Sequence, residues 1–265
     1  MTRIMVGQYY PSQSVIHSLD PRVKLMGTIM YITFLLFANN FIGFGVSAVF
    51  LAFIIWLSKV PPRLLIRGLR TIIFILIIAA GINVFLTPGE TVLVEFGFIR
   101  ITLQGVLLAV QMAVRLILLI MGSSILTLTT SPIQLTDAIE FLLKPLKRIK
   151  VPAHDIAMMM TIALRYIPTL AEEMDKIIKA QKARGADFDT GSILKRAKSL
   201  LPVLVPLFVS AFIRADELAT AMEARCYRGD INRTRMKEMA MTSKDWFALF
   251  IVAIFGCIIF LTRAL

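Results

Sequence analysis

From Leu25 to Ser58 the chain carries no charged side chain, an interval of 34 residues. Drawn as one straight helix it would be about 50 Å long, against roughly 30 Å of bilayer hydrocarbon. The interval therefore has to fold back on itself. Asn39 and Asn40 near its middle, followed by Gly43 and Gly45, predict a tight helical hairpin of two short spans. A soluble core of this size does not need such apolarity: 57% of the residues are hydrophobic and the mean hydropathy is +0.78. Three further runs extend the pattern. Thr71–Gly89 is uncharged and predicts a third span, and Ile101–Thr130, broken only by Arg115, a fourth. Trp246–Thr262 predicts a fifth, with Trp246 at its entry edge, where aromatic belts occur.

A net charge of +12 has to be kept apart from these runs, and its distribution sets the orientation. Arg3, Arg22 and Lys24 precede the first span, and Lys59, Arg63, Arg67 and Arg70 lie between the second and third. Nineteen basic residues fall within 131–244, while the opposite side receives only Arg100 and Arg263. By the positive-inside bias the N-terminus is expected in the cytosol and the C-terminus outside. Residues 1–22 have no apolar core of the kind a signal peptide needs, so no cleaved leader is expected. The chain thus divides into residues 1–130, an N-terminal cytosolic segment with four spans; 131–244, a cytosolic domain; and 245–265, a C-terminal span.

Residues 131–244 are too many for a structureless connector. Asp137–Ile149 has Ile139, Leu142, Leu143, Leu146 and Ile149 at helical spacing. The uncharged stretches Ile156–Leu164 and Leu200–Ile213 are each too short to cross a bilayer, so a helical layer at the membrane surface is expected. Pro168 is expected to divide a long helical stretch. Within this layer two decamers end alike, forty-one residues apart: Asp175–Arg184 runs into Gly185, and Asp216–Arg225 into Cys226. They share Asp175/Asp216, Ala180/Ala221, Ala183/Ala224 and Arg184/Arg225. One basic residue before a glycine is ordinary helix capping. Two at equivalent places, flanked by small residues, predict a pair of docking handles whose guanidinium forks can enter a groove.

Other chemistry is missing. The sequence has no Gly-x-x-x-x-Gly-Lys-[Ser/Thr] loop, no Gly-x-Ser-x-Gly, no His-Glu-x-x-His and no carboxylate within a span. His17 and His154 are isolated, and Cys226 and Cys257 make neither a disulfide framework nor a zinc site. Catalytic, cofactor-binding and metal-binding residues are expected to be absent. Basic charge without aromatic interleaving argues against nucleic acid as a partner. Arg115 is ionisable within a span, and a structural role is expected for it, by snorkelling or by pairing with a carbonyl, facing the bundle or a partner. The Met158–Met160 cluster suits either an adaptable surface or core filling.

Several stretches carry a resemblance. Ala163-Leu-Arg165-Tyr-Ile-Pro168-Thr-Leu-Ala-Glu-Glu173, continuing through Gln181-Lys-Ala183-Arg184-Gly185, resembles the transmembrane (T) component of energy-coupling factor transporters. So do Ser14-Val-Ile-His17-Ser-Leu19-Asp20-Pro21-Arg22-Val-Lys24-Leu25 and Leu128-Thr-Thr-Ser-Pro132. Gly7-Gln8-Tyr9 is closer to the shared type than to cobalt- or nickel-dedicated relatives. The resemblance implies an all-α scaffold of about five transmembrane helices in a prokaryotic cell membrane, with a coupling domain built on two long coupling helices. It implies two cytosolic ABC-type ATPase subunits and a membrane-embedded, substrate-binding S component as partners in vitamin or micronutrient uptake. The coupling motifs would be Ala183-Arg184-Gly185 and Ala224-Arg225-Cys226, the second departing from Ala-Arg-Gly at Cys226. The alternatives at this point are an autonomous secondary transporter and a dedicated metal-ion permease of the same class.

Overall fold

The computed structural model describes residues 9–88, 91–96, 99–188, 192–229 and 240–264; Arg3, Gly7, Gln8 and Gly89, noted above, lie outside them. The architecture is that of an all-α membrane protein with one two-stranded hairpin. In order, the helices are α1 (Val15–Ser18), α2 (Pro21–Phe37), α3 (Phe41–Ser58), α4 (Pro62–Leu86), α5 (Leu103–Thr129), α6 (Pro132–Leu143), α7 (Ala153–Ala183), α8 (Ile193–Ala224) and α9 (Ser243–Ala264). β1 (Val92–Phe96) and β2 (Ile99–Thr102) pair antiparallel between α4 and α5. Ile101 and Thr102 thus belong to a strand, and the fourth span starts at Leu103 rather than Ile101.

The helix boundaries follow local chemistry. The carboxylate of Asp20 caps α2 by accepting the Arg22 N–H at 2.9 Å, and Pro21 takes the first helical position, where no N–H is missed. The 34-residue run breaks where expected, at Ala38–Asn40 between α2 and α3. Ser131 and Gln134 exchange backbone-to-side-chain hydrogen bonds at 3.3 and 3.2 Å, a capping box that starts α6. α3, α5, Lys198–Ala224 of α8 and Ser243–Arg263 of α9 are each long and apolar enough to cross a membrane. α4 adds a fifth if its arms, Pro62–Arg70 and Ile72–Phe85, bent by 58°, form one span. α2 has 17 residues, about 25 Å of helix.

The chain forms two compact units, one of Gly7–Ala138 with Lys237–Leu265, the other of Ile139–Met236. The core of the first is an aromatic stack. The Phe255 ring lies 4.4 Å from Phe50 and 5.7 Å from Tyr31, and the Tyr31 hydroxyl donates to the carbonyl of Leu118 at 3.3 Å. α5 reaches this stack through Gly122, where a Cβ would collide with the Tyr31 ring. At one end of the bundle the buried Asp245 carboxylate accepts the Asp20 N–H at 2.8 Å and both the N–H and the hydroxyl of Thr242, at 2.8 and 2.6 Å. Beside it the ammonium of buried Lys24 donates to the carbonyls of His17 and Thr129 at 3.0 and 3.1 Å. The Ser14–Leu25 segment is therefore a polar clasp joining α1, α2, α5 and α9. At the opposite end Asn40 donates to the carbonyl of Thr262 at 2.8 Å.

In the second unit α7 and α8 form an antiparallel hairpin. Gln181 meets Pro202, Glu173 meets Ser210 and Arg214, and His154 and Met158 meet Tyr227, a reversed order along the two segments. Two expectations are corrected here. Pro168 lies within a continuous α7 of 31 residues, and Leu200–Ile213 is not a separate short stretch but the middle of a continuous α8 of 32 residues that begins at Ile193. α8 continues through Pro202 and Pro206, and the bond that Pro206 leaves unmet finds another partner. Pro206 has no N–H for the carbonyl of Pro202, four residues back, and that carbonyl accepts instead from the Gln181 amide at 3.4 Å.

Candidate functional site

The two arginine ends are the same structure built from different residues. At the end of α7 the Gly185 N–H donates to the carbonyl of Lys182 at 3.0 Å and the Ala186 N–H to that of Gln181 at 2.9 Å. At the end of α8 the Cys226 N–H donates to Glu223 at 2.8 Å and the Tyr227 N–H to Met222 at 3.0 Å. Both are Schellman closures, in which a residue of positive φ turns the chain back over the last carbonyls. Gly185 has φ +89° and Cys226 φ +54°. Glycine adopts such angles freely, whereas a residue with a Cβ is penalised by about 1–2 kcal/mol. Cys226 thus replaces the glycine of the first motif without changing its hydrogen bonding.

Ala183, Arg184, Gly185, Ala224, Arg225 and Cys226 are all exposed. Neither arginine side chain is engaged by another side chain among the described residues. The closures hold the guanidiniums just beyond the last helical turn with small Ala183 and Ala224 before them. The antiparallel hairpin keeps the two apart, because α7 alone is about 46 Å long, from 31 residues at about 1.5 Å each. One arginine stands at each end of the pair. Between them the Glu173 carboxylate bridges the helices, accepting from the Ser210 hydroxyl at 2.9 Å and pairing with the Arg214 guanidinium.

The two ends differ in what supports them. Tyr227, one residue past Cys226, sets its hydroxyl 2.9 Å from the Met158 sulfur and 3.4 Å from His154 Nε2. His154 Nδ1 lies 3.3 Å from a carboxylate oxygen of Glu140. The matching residue at the first end is Ala186, which has no side chain to make such a brace. Tyr227, His154 and Glu140 were not legible as a group, although comparing Ala186 with Tyr227 would have flagged the asymmetry. Of the methionine cluster, Met158 contacts Tyr227 while Met159 is exposed. No group of His, Cys, Asp and Glu among the described residues could hold a metal ion.

The second unit also presents an apolar surface. On α8, Leu201, Val205, Phe208, Val209, Phe212 and Ile213 are all exposed, Phe212 by 73%. A water-soluble helix does not leave such a stripe uncovered.

Comparison with known proteins bears on this arrangement. Residues 12–237 match the family described as cobalt transport protein (CbiQ). The energy-coupling factor transporter transmembrane protein EcfT of Ruminiclostridium cellulolyticum is 54% identical over 252 residues, covering 95% of this chain and 94% of its own length. The chain belongs to the EcfT family. The EcfT of Clostridium kluyveri is 51% identical over 98% of this chain and 97% of its own, and that of Bacillus subtilis 40% identical over the full length of both. Membership makes the chain a transmembrane component of an energy-coupling factor transporter.

Proposed function

We propose that this EcfT-family protein is the non-catalytic scaffold through which two cytosolic ABC-type ATPase subunits drive a membrane-embedded S component during vitamin or micronutrient uptake. The observation that carries the reading is the pair of exposed arginines in matched Schellman turns at opposite ends of one helical hairpin. Two like handles set a helix length apart suit a partner made of two like subunits. ATP binding would close the ATPase pair and shift the turns relative to each other. The Glu173 bridge ties the two helices, so the shift reaches the apolar stripe of α8, against which the S component would reorient and release its substrate inward. Residues 131–244 act as the coupling domain, and the spans on either side hold it at the membrane.

This reading keeps α8 on the cytosolic side, although its length would let it cross. Crossing would put Arg184 and Arg225 on opposite faces. The charges also disfavour it: Lys195, Arg196 and Lys198 at one end of α8 are matched by Arg214, Arg225 and Arg228 at the other, with no positive-inside bias between them. An autonomous transporter would show an ion or substrate site at mid-membrane, and the middle stretches of α2, α3, α4, α5 and α9 contain no carboxylate to build one. A metal-dedicated permease finds no support in the residues.

The test is co-purification of the ATPases with the Arg184→Glu, Arg225→Glu double variant. Losing one partner of a buried charged pair costs about 2–5 kcal/mol, and reversing both charges is expected to abolish ATPase recovery while membrane insertion persists. Wild-type recovery of the ATPases would overturn the proposal.

A further inference from the structure

The clasp end of the first unit opens into a cavity of about 570 Å³ between α2, α3, α5 and α9. That is within the roughly 300–1,000 Å³ of small-molecule sites. Its walls are almost wholly apolar, and its charged lining residues are two lysines, Lys24 and Lys244. Both lie at the same end, because α2 and α9 begin there while α3 and α5 end there. Lys244 is exposed at the mouth. Lys24 lines the cavity but is buried and gives two of its three N–H groups to carbonyls. No carboxylate lines the space. Asp245, next to Lys244, is not among the lining residues, and its carboxylate is occupied by Asp20 and Thr242. A neighbouring polar depression shares Val15 and Leu57 with the cavity and adds Lys59 to the same end.

Depth settles the kind of occupant. The cavity runs from Lys24 to Tyr31 on α2 and from Lys244 to Val252 on α9, seven and eight residues, so it reaches about 10–12 Å inward. One leaflet is about half of the roughly 30 Å hydrocarbon layer. A partner's spanning helix would need a face through both leaflets, and this space ends against the aromatic stack. An amphiphile whose anionic head stays at the lysine end and whose chain enters from the same side fits both its length and its charge.

We propose that this cavity seats an acyl chain of an anionic phospholipid, with the phosphate held at Lys244 at its mouth. Basic pockets between spans bind anionic headgroups by this combination of charge and apolar wall. The site does not depend on the arginine turns or on the ATPase reading.

The full-length protein is reconstituted in nanodiscs of phosphatidylglycerol or of phosphatidylcholine with the same chains, then returned to detergent, and the phospholipid retained per protein is measured by native mass spectrometry. Wild type is expected to keep phosphatidylglycerol at least about fivefold better than phosphatidylcholine, the effect of one lysine near an anionic headgroup. Lys244→Glu is expected to erase that preference, and Ala248→Phe, which narrows the wall, to lower retention of both lipids. Equal retention of the two lipids by wild type, or an unchanged preference in Lys244→Glu, would overturn the proposal; so would undiminished retention by a folded Ala248→Phe. Lys244 is exposed and unpaired among the described residues, so its variant decides the matter even where Ala248→Phe does not fold.

Discussion

Arg115 stands in the middle of a span, where a charge is expensive, and its position is explained by one turn of backbone. Its guanidinium donates to the carbonyl of Ala38 at 2.6 Å and to the side-chain oxygen of Asn39 at 3.4 Å, and it lies 5.4 Å from the centre of the Phe44 ring. Ala38 ends α2 and is buried, so the cation meets the negative pole of that helix. Arg115→Met keeps most of the bulk and removes the donor. The expected cost is about 1–3 kcal/mol, the penalty for an unpaired buried acceptor, read as a lower melting temperature of the detergent-solubilised protein. Arg115→Lys is expected to recover only part of it, since the shorter side chain ends in an ammonium that does not reach as far as the Nη2 that makes both contacts. No loss in Arg115→Met would show that the contact is incidental.

At the scale of elements, the two arginine turns invite opposite substitutions. Cys226→Gly relieves a side chain held at positive φ and is expected to stabilise the end of α8 by about 0.5–1 kcal/mol. Gly185→Ala imposes that strain on α7 and is expected to cost about 1–2 kcal/mol. Hydrogen exchange of the Tyr227 and Ala186 amides, which close the two turns, would report the changes, slower in the first variant and faster in the second. Equal rates in either variant would contradict this account. The spans, the three-residue break of the long apolar run and the two arginine ends could all be read from charge and spacing, because membranes punish exceptions to those patterns. The continuity of α7 and α8 could not. Pro168, Pro202 and Pro206 look like breaks in a sequence, and whether a helix survives them depends on what answers the freed carbonyls. For Pro202 the answer comes from Gln181 on the neighbouring helix. The positive φ of Cys226 and the brace on Tyr227 were hidden for the same reason, since each is fixed by a backbone angle or a distant partner.

At the scale of the whole molecule, the number of crossings decides whether the two handles can share a partner. On the proposed topology, α2, α3, α4, α5 and α9 would cross and leave the chain's two ends on opposite faces, and a sixth crossing by α8 would return them to one. An alkaline phosphatase joined after Leu265 is expected to be active, with a green fluorescent protein there dim in comparison by flow cytometry of cells with matched expression. The reverse pattern would require α8 to cross and would separate Arg184 from Arg225. The order of synthesis also follows from the clasp. The Asp20 N–H is answered by Asp245, 225 residues later in the chain. At roughly 5–20 residues per second, a ribosome takes about 10–45 s to make that interval. Through that time α2 to α5 wait in the membrane with Asp20 and Asn40 lacking the α9 groups that complete their bonding. α9 is the late-arriving seal of a bundle begun long before, and any pause in translation between Thr129 and Ser243 prolongs the exposure of its unfinished face.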